Sequence, residues 1–223
     1  ITPSIDLSGP LTGEGDLLYR LNALYRTEDS FRDFENDFER FFVAPTLTWL
    51  ISEQTELTAS LEYTEDYEPL DIGTVALGEG FADIPRERVL NDPDSTVSRD
   101  SLSARYALEH RFSNNWQLRN QFRYSSSAYD WNVTAFPVAL DEATGLLNRL
   151  FASDDADVET YALNTSVQGE FSTGSLDHTL LFGVDLLRAE NRRTLRLGAP
   201  TPINIFEPDN LDVETPPLDS LAV

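Results

Sequence analysis

The segment Gly15–Arg26, GDLLYRLNALYR, repeats with a period of two. Leu17, Tyr19, Leu21, Ala23 and Tyr25 take one side; Leu18, Arg20, Asn22, Leu24 and Arg26 take the other. That period is the mark of a β-strand with one apolar face and one face carrying arginine. A chain built from such strands must give each face its own surroundings, and this constrains the fold more than any other feature of the sequence.

Seven further segments behave in the same way. Ile5 and Leu7 end a short one before the turn GPLTGEGD. Phe41, Val43, Pro45, Leu47 and Trp49 share a face in RFFVAPTLTWLI, as do Leu57, Ala59, Leu61 and Tyr63 in TELTASLEYT. Leu102, Ala104, Tyr106, Leu108 and Phe112 align next, followed by Trp116, Leu118, Phe122 and Tyr124. Tyr161, Leu163, Val167 and Phe171 form the seventh apolar face, and Leu180, Phe182, Val184 and Leu186 the eighth. The connections alternate too. GPLTGEG, SEQ, SNN and STGS are short and rich in turn-forming residues. The connections near 27–37, 66–97, 131–157 and from 197 onward are long. The expected fold is an all-β, antiparallel, up-and-down meander of about eight strands, with short turns at one rim and long loops at the other.

Arginine decides what each face meets. The chain carries 39 Asp+Glu against 16 Lys+Arg, a net charge of −23, and every one of those cations is Arg. Arg20, Arg26, Arg40, Arg99, Arg105, Arg111, Arg119 and Arg123 all fall on the polar faces, with Glu56, Glu62, Glu109, Glu170 and Asp185. Arginine facing lipid at the midplane costs about 2–4 kcal/mol, so a transmembrane β-barrel must enforce such segregation. A soluble sandwich also alternates, with its apolar face inside. The aromatics separate the two cases. Trp49, Phe112, Trp116 and Phe171 sit beside the short turns, and Tyr25, Tyr63, Tyr124 and Tyr161 sit toward the long loops. Eight to ten residues between them, at ~3.3 Å each and tilted by ~40°, span roughly 20–25 Å, the height of a barrel's apolar band between its aromatic girdles. The apolar face is expected to meet lipid and the arginine face a wet or plugged interior. Asn120 and His178 fall on the apolar side as exceptions.

Other chemistry has little material. The acidic balance argues against nucleic acid as a partner. There is no Cys and only His110 and His178, so thiolate chemistry is excluded and neither a catalytic triad nor a His-rich metal site is expected. The two GEG triplets lack the glycine spacing and strand–helix context of a nucleotide loop. SDDADVE, 153–159, resembles part of a calcium loop without its Gly and terminal spacing, and reads as a solvated acidic loop. DEATGLLNRLF, Asp141–Phe151, reads as a short helix capped by Asp141. No catalytic residue, metal or cofactor is expected.

The stretches DLSGPLTGEGDLLYRLNALYR, FFVAPTLTWLISEQTELTASLEY, RYALEHRFSNNWQLRNQFRY and DHTLLFGVDLLR resemble the barrel of TonB-dependent ferric siderophore receptors, notably the ferrichrome and hydroxamate-type branch. NIFEP, from Asn204, resembles that family's loop ending in Asn-Pro, with Glu207 where Asn is usual. The resemblance implies a 22-strand class barrel. This chain would be a partial barrel domain over 1–223, starting at the end of the second strand and stopping after the ninth. The N-terminal plug, the TonB-contacting segment and the C-terminal half of the barrel would lie outside it. It further implies a bacterial outer-membrane location with outer-membrane lipid around the barrel, a ferric siderophore as transported ligand, and coupling to the TonB complex through the N-terminal region. Family ligands are held by aromatic and polar side chains near the outer mouth, which here points to Tyr67, Phe81, Arg86, Arg88, Tyr129 and Trp131, with Tyr67 and Trp131 foremost. The carboxylate-rich loop 65–94, with only Arg86 and Arg88 in compensation, disfavours a strongly anionic chelate. A small outer-membrane barrel with an adhesion or structural role, and a soluble acidic β-sandwich, are the rival readings.

Overall fold

The computed structural model describes residues 1–207 and 214–223. Pro208, the last residue of NIFEP, lies outside the described residues. Eight strands form one antiparallel path: β1 (Ser4–Pro10), β2 (Leu17–Glu28), β3 (Phe38–Ser52), β4 (Thr55–Pro69), β7 (Thr96–Ser113), β8 (Trp116–Trp131), β10 (Leu146–Thr173) and β11 (Leu176–Pro200). They correspond one to one with the eight alternating segments. A two-stranded hairpin, β5 (Ala76–Leu77) and β6 (Gly80–Phe81), stands apart; β9 (Thr134–Asp141) and β12 (Ile203–Asn204) both pair with β10. The sheet does not close on itself, and β1 and β11 are its edges.

Register fixes the faces. Arg20 lies opposite Thr46, Thr46 opposite Ser60, Ser60 opposite Arg105, and Arg105 opposite Arg123. Directly opposed residues share a face, and so do residues two apart along a strand. Arg20, Arg105, Arg119 and Arg123 therefore share one face with Glu56, Glu109 and Glu170, as the alternation requires. Ion pairs cross that face: Arg20 grips Asp6 at 2.7 Å, and Arg119 lies 3.3 Å from Glu109. The apolar row Tyr19, Leu47, Ala59, Tyr106, Phe122, Leu163 and Leu186 runs along the other side.

The two exceptions on the apolar face have local answers. The Tyr106 hydroxyl donates to Asn120 Oδ1 (2.8 Å), and Asn120 Nδ2 donates to Thr165 Oγ1 (2.6 Å). This cross-strand chain engages both the oxygen and the nitrogen of the amide with protein partners. His178 sits beside the Gly174–Ser175 turn, bonded to Thr173 and stacked on Phe171 at 5.0 Å. His110 behaves alike next to the Glu53–Gln54 turn, bonded to Thr55 at 2.8 Å and edge-on to Phe112. On the same rim the Trp116 ring lies across the backbone of Gly169, and a Cβ there would collide with it.

The long connections depart from expectation. Asp141–Phe151 is a turn and a strand, with no helix. Asp141 Oδ1 accepts the Ala143 N–H, Gly145 adopts φ 72°, and Leu146–Phe151 pairs with β9. A carboxylate bonding two residues on and a glycine at positive φ favour a tight turn over a helix start. The region 131–157 is accordingly strand for most of its length, because β10 and β11 run far beyond the tyrosine row. SDDADVE belongs to β10 and is no solvated loop: Asp154 pairs with Arg193 and Asp155 with Arg196 on β11. Among the described residues, no group of acidic and His side chains is arranged to hold a metal.

Above the tyrosine row the loops pack into a layer of their own. Ala82, Leu90, Leu147, Ile203 and Ile205 form its buried core, flanked by Ile72, Val75, Leu77, Ile84 and Leu140. Arginines stitch it together through backbone carbonyls. Arg149, 1 % exposed, donates to Thr201 O (2.8 Å) and Leu90 O (3.1 Å); Arg32 donates to Gly73 O and Arg88 O, and Arg88 to Ile205 O. Near the chain end, Leu197 and Ala222 exchange backbone hydrogen bonds, covering part of the β11 edge.

The parity of the sheet is testable at neighbouring positions. In the full-length protein, Phe122→Arg is expected to cost about 2–4 kcal/mol of folding stability in lipid, whereas Gln121→Arg costs below about 1 kcal/mol. Urea unfolding in liposomes measures both, and equal costs would invalidate the assignment of faces.

Candidate functional site

One cross-strand row on the arginine face, just past the tyrosine girdle, gathers most of the useful chemistry. Arg26 lies opposite Arg40, Arg40 opposite Asp66, Asp66 opposite Arg99, Arg99 opposite Tyr129, Tyr129 opposite Ala156, and Ala156 opposite Arg193. The row crosses seven strands and presents four arginines and a tyrosine at one height. The next position up adds Phe38 and Glu68, and Trp131 at the end of β8.

Each arginine in the row has its own carboxylate. Arg40 holds Asp66 through both nitrogens at 2.6 and 2.7 Å, and Arg193 holds Asp154 at 2.8 and 2.6 Å. Arg99 pairs with Glu68 and Arg26 with Glu28. The band is charge-balanced while still presenting planar guanidinium groups, which stack readily on flat partners. Phe38 illustrates this within the protein, with the guanidinium carbons of Arg26 and Arg40 5.3 and 5.5 Å from its ring centre.

Tyr129 and Trp131 form the aromatic end of the band. Their rings are 6.2 Å apart, and Trp131 continues in a near-parallel stack with Phe136 at 5.8 Å. The Tyr129 hydroxyl donates to Asp154 Oδ2 at 2.9 Å, so the ring is fixed by the same carboxylate that Arg193 grips. The hydrogen bond from Arg193 holds the Asp154 carboxyl below the usual carboxylate range, while burial, and then Asp154, push the Tyr129 phenol up.

The remaining expected site residues lie elsewhere. Tyr67 lies opposite Ser98 and Glu39, on the other face of the sheet from Tyr129, with its hydroxyl 3.4 Å from Asn36 Oδ1. Phe81 is 79 % exposed on the β5–β6 hairpin. Arg86 stacks over Phe31 at 4.7 Å and lies 3.7 Å from Glu87. Arg88 is tied into the loop layer by Ile205 and Arg32. The structure therefore brings together two of the six expected residues, Tyr129 and Trp131. Phe38, Phe136, Asp154 and Arg193 were missed. Parity could have placed Phe38 beside Arg40, but Asp154 and Arg193 meet only through the register of the long β10–β11 arm.

The outer face has a different character at this height. The Tyr63 hydroxyl donates to Asp100 at 3.0 Å, and the Tyr124 hydroxyl to Glu159 at 3.2 Å. The girdle rings thus end in carboxylates, the pattern of a boundary between an apolar layer and water.

If the Arg193–Asp154–Tyr129 group holds the arm, acid should release it. A depressed folded pKa gives stability that is full above the unfolded carboxylate value of about 4 and is lost as pH falls through the folded value. Amide exchange along 150–157 and 192–197 in the full-length protein should accelerate below about pH 4, and Asp154→Asn should show the fast exchange already at neutral pH. Unchanged exchange in the variant would remove this group as the clamp.

The family described as TonB dependent receptor-like, beta-barrel matches residues 17–221. The metal-pseudopaline receptor of Pseudomonas aeruginosa is 29 % identical over 200 residues, covering 89 % of this chain and 28 % of that protein. The ferrichrome outer membrane transporter/phage receptor of Escherichia coli is 25 % identical over 235 residues, covering 94 % of this chain and 31 % of that protein. Among solved structures, the outer-membrane ferripyoverdine receptor of Pseudomonas aeruginosa superposes with a TM-score of 0.83 at 16 % identity, over 100 % of this chain and 30 % of that one. The chain thus spans under a third of the length of each of these three proteins.

Proposed function

Since the chain belongs to the TonB-dependent receptor-like β-barrel family, whose members are outer-membrane β-barrel proteins, we propose that it forms part of the wall of a receptor that takes up ferric siderophores with energy delivered through TonB. The apolar face then meets lipid and the arginine face the interior. The observation that carries the reading is the balanced arginine–aromatic band on the inner face, immediately past the girdle, where a ligand arriving from outside first meets the wall. Two curated relatives are named for ferrichrome and for a metal–pseudopaline complex, which supports a metal chelate as the ligand class.

Within this proposal Trp131 and Tyr129 cover the apolar surface of the chelate. Aromatic rings do so with little loss of conformational freedom. Arg26, Arg40, Arg99 and Arg193 supply donors whose charge is already neutralised by Glu28, Asp66, Glu68 and Asp154. Such a band gives a polyanionic chelate no net attraction and suits a neutral or weakly charged one.

The test uses the full-length receptor on whole cells and iron-loaded ferrichrome and metal–pseudopaline as probes. Trp131→Ala is expected to weaken binding of the recognised probe by about tenfold, with receptor abundance unchanged. Tyr67→Ala, on the opposite face, should bind at wild-type strength. Wild-type binding by Trp131→Ala would remove the band as the contact surface.

A further inference from the structure

Near the middle of the arginine face, Arg105 and Arg123 lie directly opposite each other on β7 and β8. Both are exposed. Two grooves meet at this pair: one is also lined by Arg20, Thr46, Ser60, Glu62 and Ser103, the other by Gln121, Asn164 and Asp185. Among the described residues, neither arginine makes an ion pair or a hydrogen bond. The surrounding carboxylates do not serve them. Asp6 is taken by Arg20, Asp185 accepts from Asn164 Nδ2 at 2.5 Å, and Glu62 shares the groove without pairing to either arginine.

This is unusual for the chain. It holds more than twice as many carboxylates as cations, and elsewhere on this face Arg20, Arg26, Arg40, Arg99 and Arg119 each have a carboxylate partner. Like charges directly opposed across a β-ladder are destabilising. Two guanidinium groups at directly opposed positions, in grooves also lined by hydroxyl and amide groups, offer a carboxylate several charge-assisted hydrogen bonds.

We propose that Arg105 and Arg123 form a carboxylate-binding station on the interior wall, separate from the aromatic band. The proposal rests on the reading that the arginine face lines the interior. The carboxylate comes either from another segment of the receptor polypeptide or from a small molecule in the lumen.

The experiment compares thermal unfolding of the full-length receptor in detergent for wild type, Arg105→Gln and Arg105→Glu, each with and without citrate as a carboxylate probe. If a carboxylate sits between the forks, Arg105→Glu lowers the midpoint by several degrees and by more than Arg105→Gln. If only mutual repulsion operates, Arg105→Glu creates a cross-strand pair with Arg123 and raises the midpoint, which overturns the proposal. Equal losses in the two variants mark a packing role and overturn it as well. Citrate then identifies the source. A citrate-induced rise in wild type, with citrate binding about tenfold weaker in the double variant Arg105→Gln/Arg123→Gln, assigns a small molecule. No citrate response, together with the Glu-worse-than-Gln order, assigns a carboxylate of the receptor chain. No arm depends on transport, so the outcome is separate from that of the Trp131 test.

Discussion

A backbone amide placed in hydrocarbon has no water to bond, and each unpaired N–H or C=O there costs several kcal/mol. The rest of the structure follows from that penalty. It forces the membrane-crossing segments into a continuous ladder, and the ladder in turn fixes which side chains share a face. Even small breaks are confined. Pro45, which cannot donate, lies within β3, yet the β3–β4 register is the same on either side of it, Val43 opposite Tyr63 and Thr46 opposite Ser60, and the register shifts only at the turn end, between Leu50 and Ser52. The same penalty makes the edges at β1 and β11 the places where the sheet demands further partners, since an uncovered edge invites pairing with another chain.

Once the ladder is set, charge is sorted by height as well as by face. Within the apolar band, between the Trp/Phe rim and the tyrosine row, the outer face carries the Tyr106–Asn120–Thr165 chain as an internally satisfied polar group. Past the tyrosines this restriction ends, and carboxylates stand on both faces. Glu65, Asp100 and Glu159 reach the phenols outside, while Asp66, Glu68 and Asp154 take the arginines inside. Pairs open to water on both sides, such as Arg26 with Glu28, add little stability one at a time, whereas Asp66 and Asp154 are buried carboxylates held by their arginines. Their effect here is geometric: bidentate contacts hold guanidinium planes at one height, beside rings that need a defined wall.

The membrane part was legible because lipid imposes a strict period. Arg20, Arg105 and Arg119 could be placed on one face from alternation, and Trp116 and Tyr124 at opposite rims from spacing. The loop layer was not legible, because water imposes no such period. There Leu90, Leu147, Ile203 and Ile205 meet through contacts far apart in the chain, and Arg149 is buried against carbonyls that no local pattern announces. The acidic run 153–159 misled for a related reason. Its partners, Arg193 and Arg196, lie some forty residues away, and only the length of the β10–β11 hairpin brings them opposite. Tyr67 shows the limit of reading height alone: proximity to the tyrosine girdle gives height, but an odd or even position in the strand decides the face, and Tyr67 stands on the opposite face from Tyr129.

The loop layer also constrains how a ligand could reach the band. Arg32, Arg88 and Arg149 each cross from one connection to another and end on backbone carbonyls, so the segments around 30, 73, 88, 149 and 203 are bound into one packed unit. Moving one of these segments would strand a buried guanidinium or carbonyl, a loss comparable to a charged hydrogen bond. Burial already disfavours the charge on Arg149, and Asp92 beside it offsets part of that cost. A layer tied in this way acts as a fixed rim. On the proposed reading, a ligand would meet a wall below this rim in which Trp131, Tyr129 and the paired arginines are already held by their neighbours.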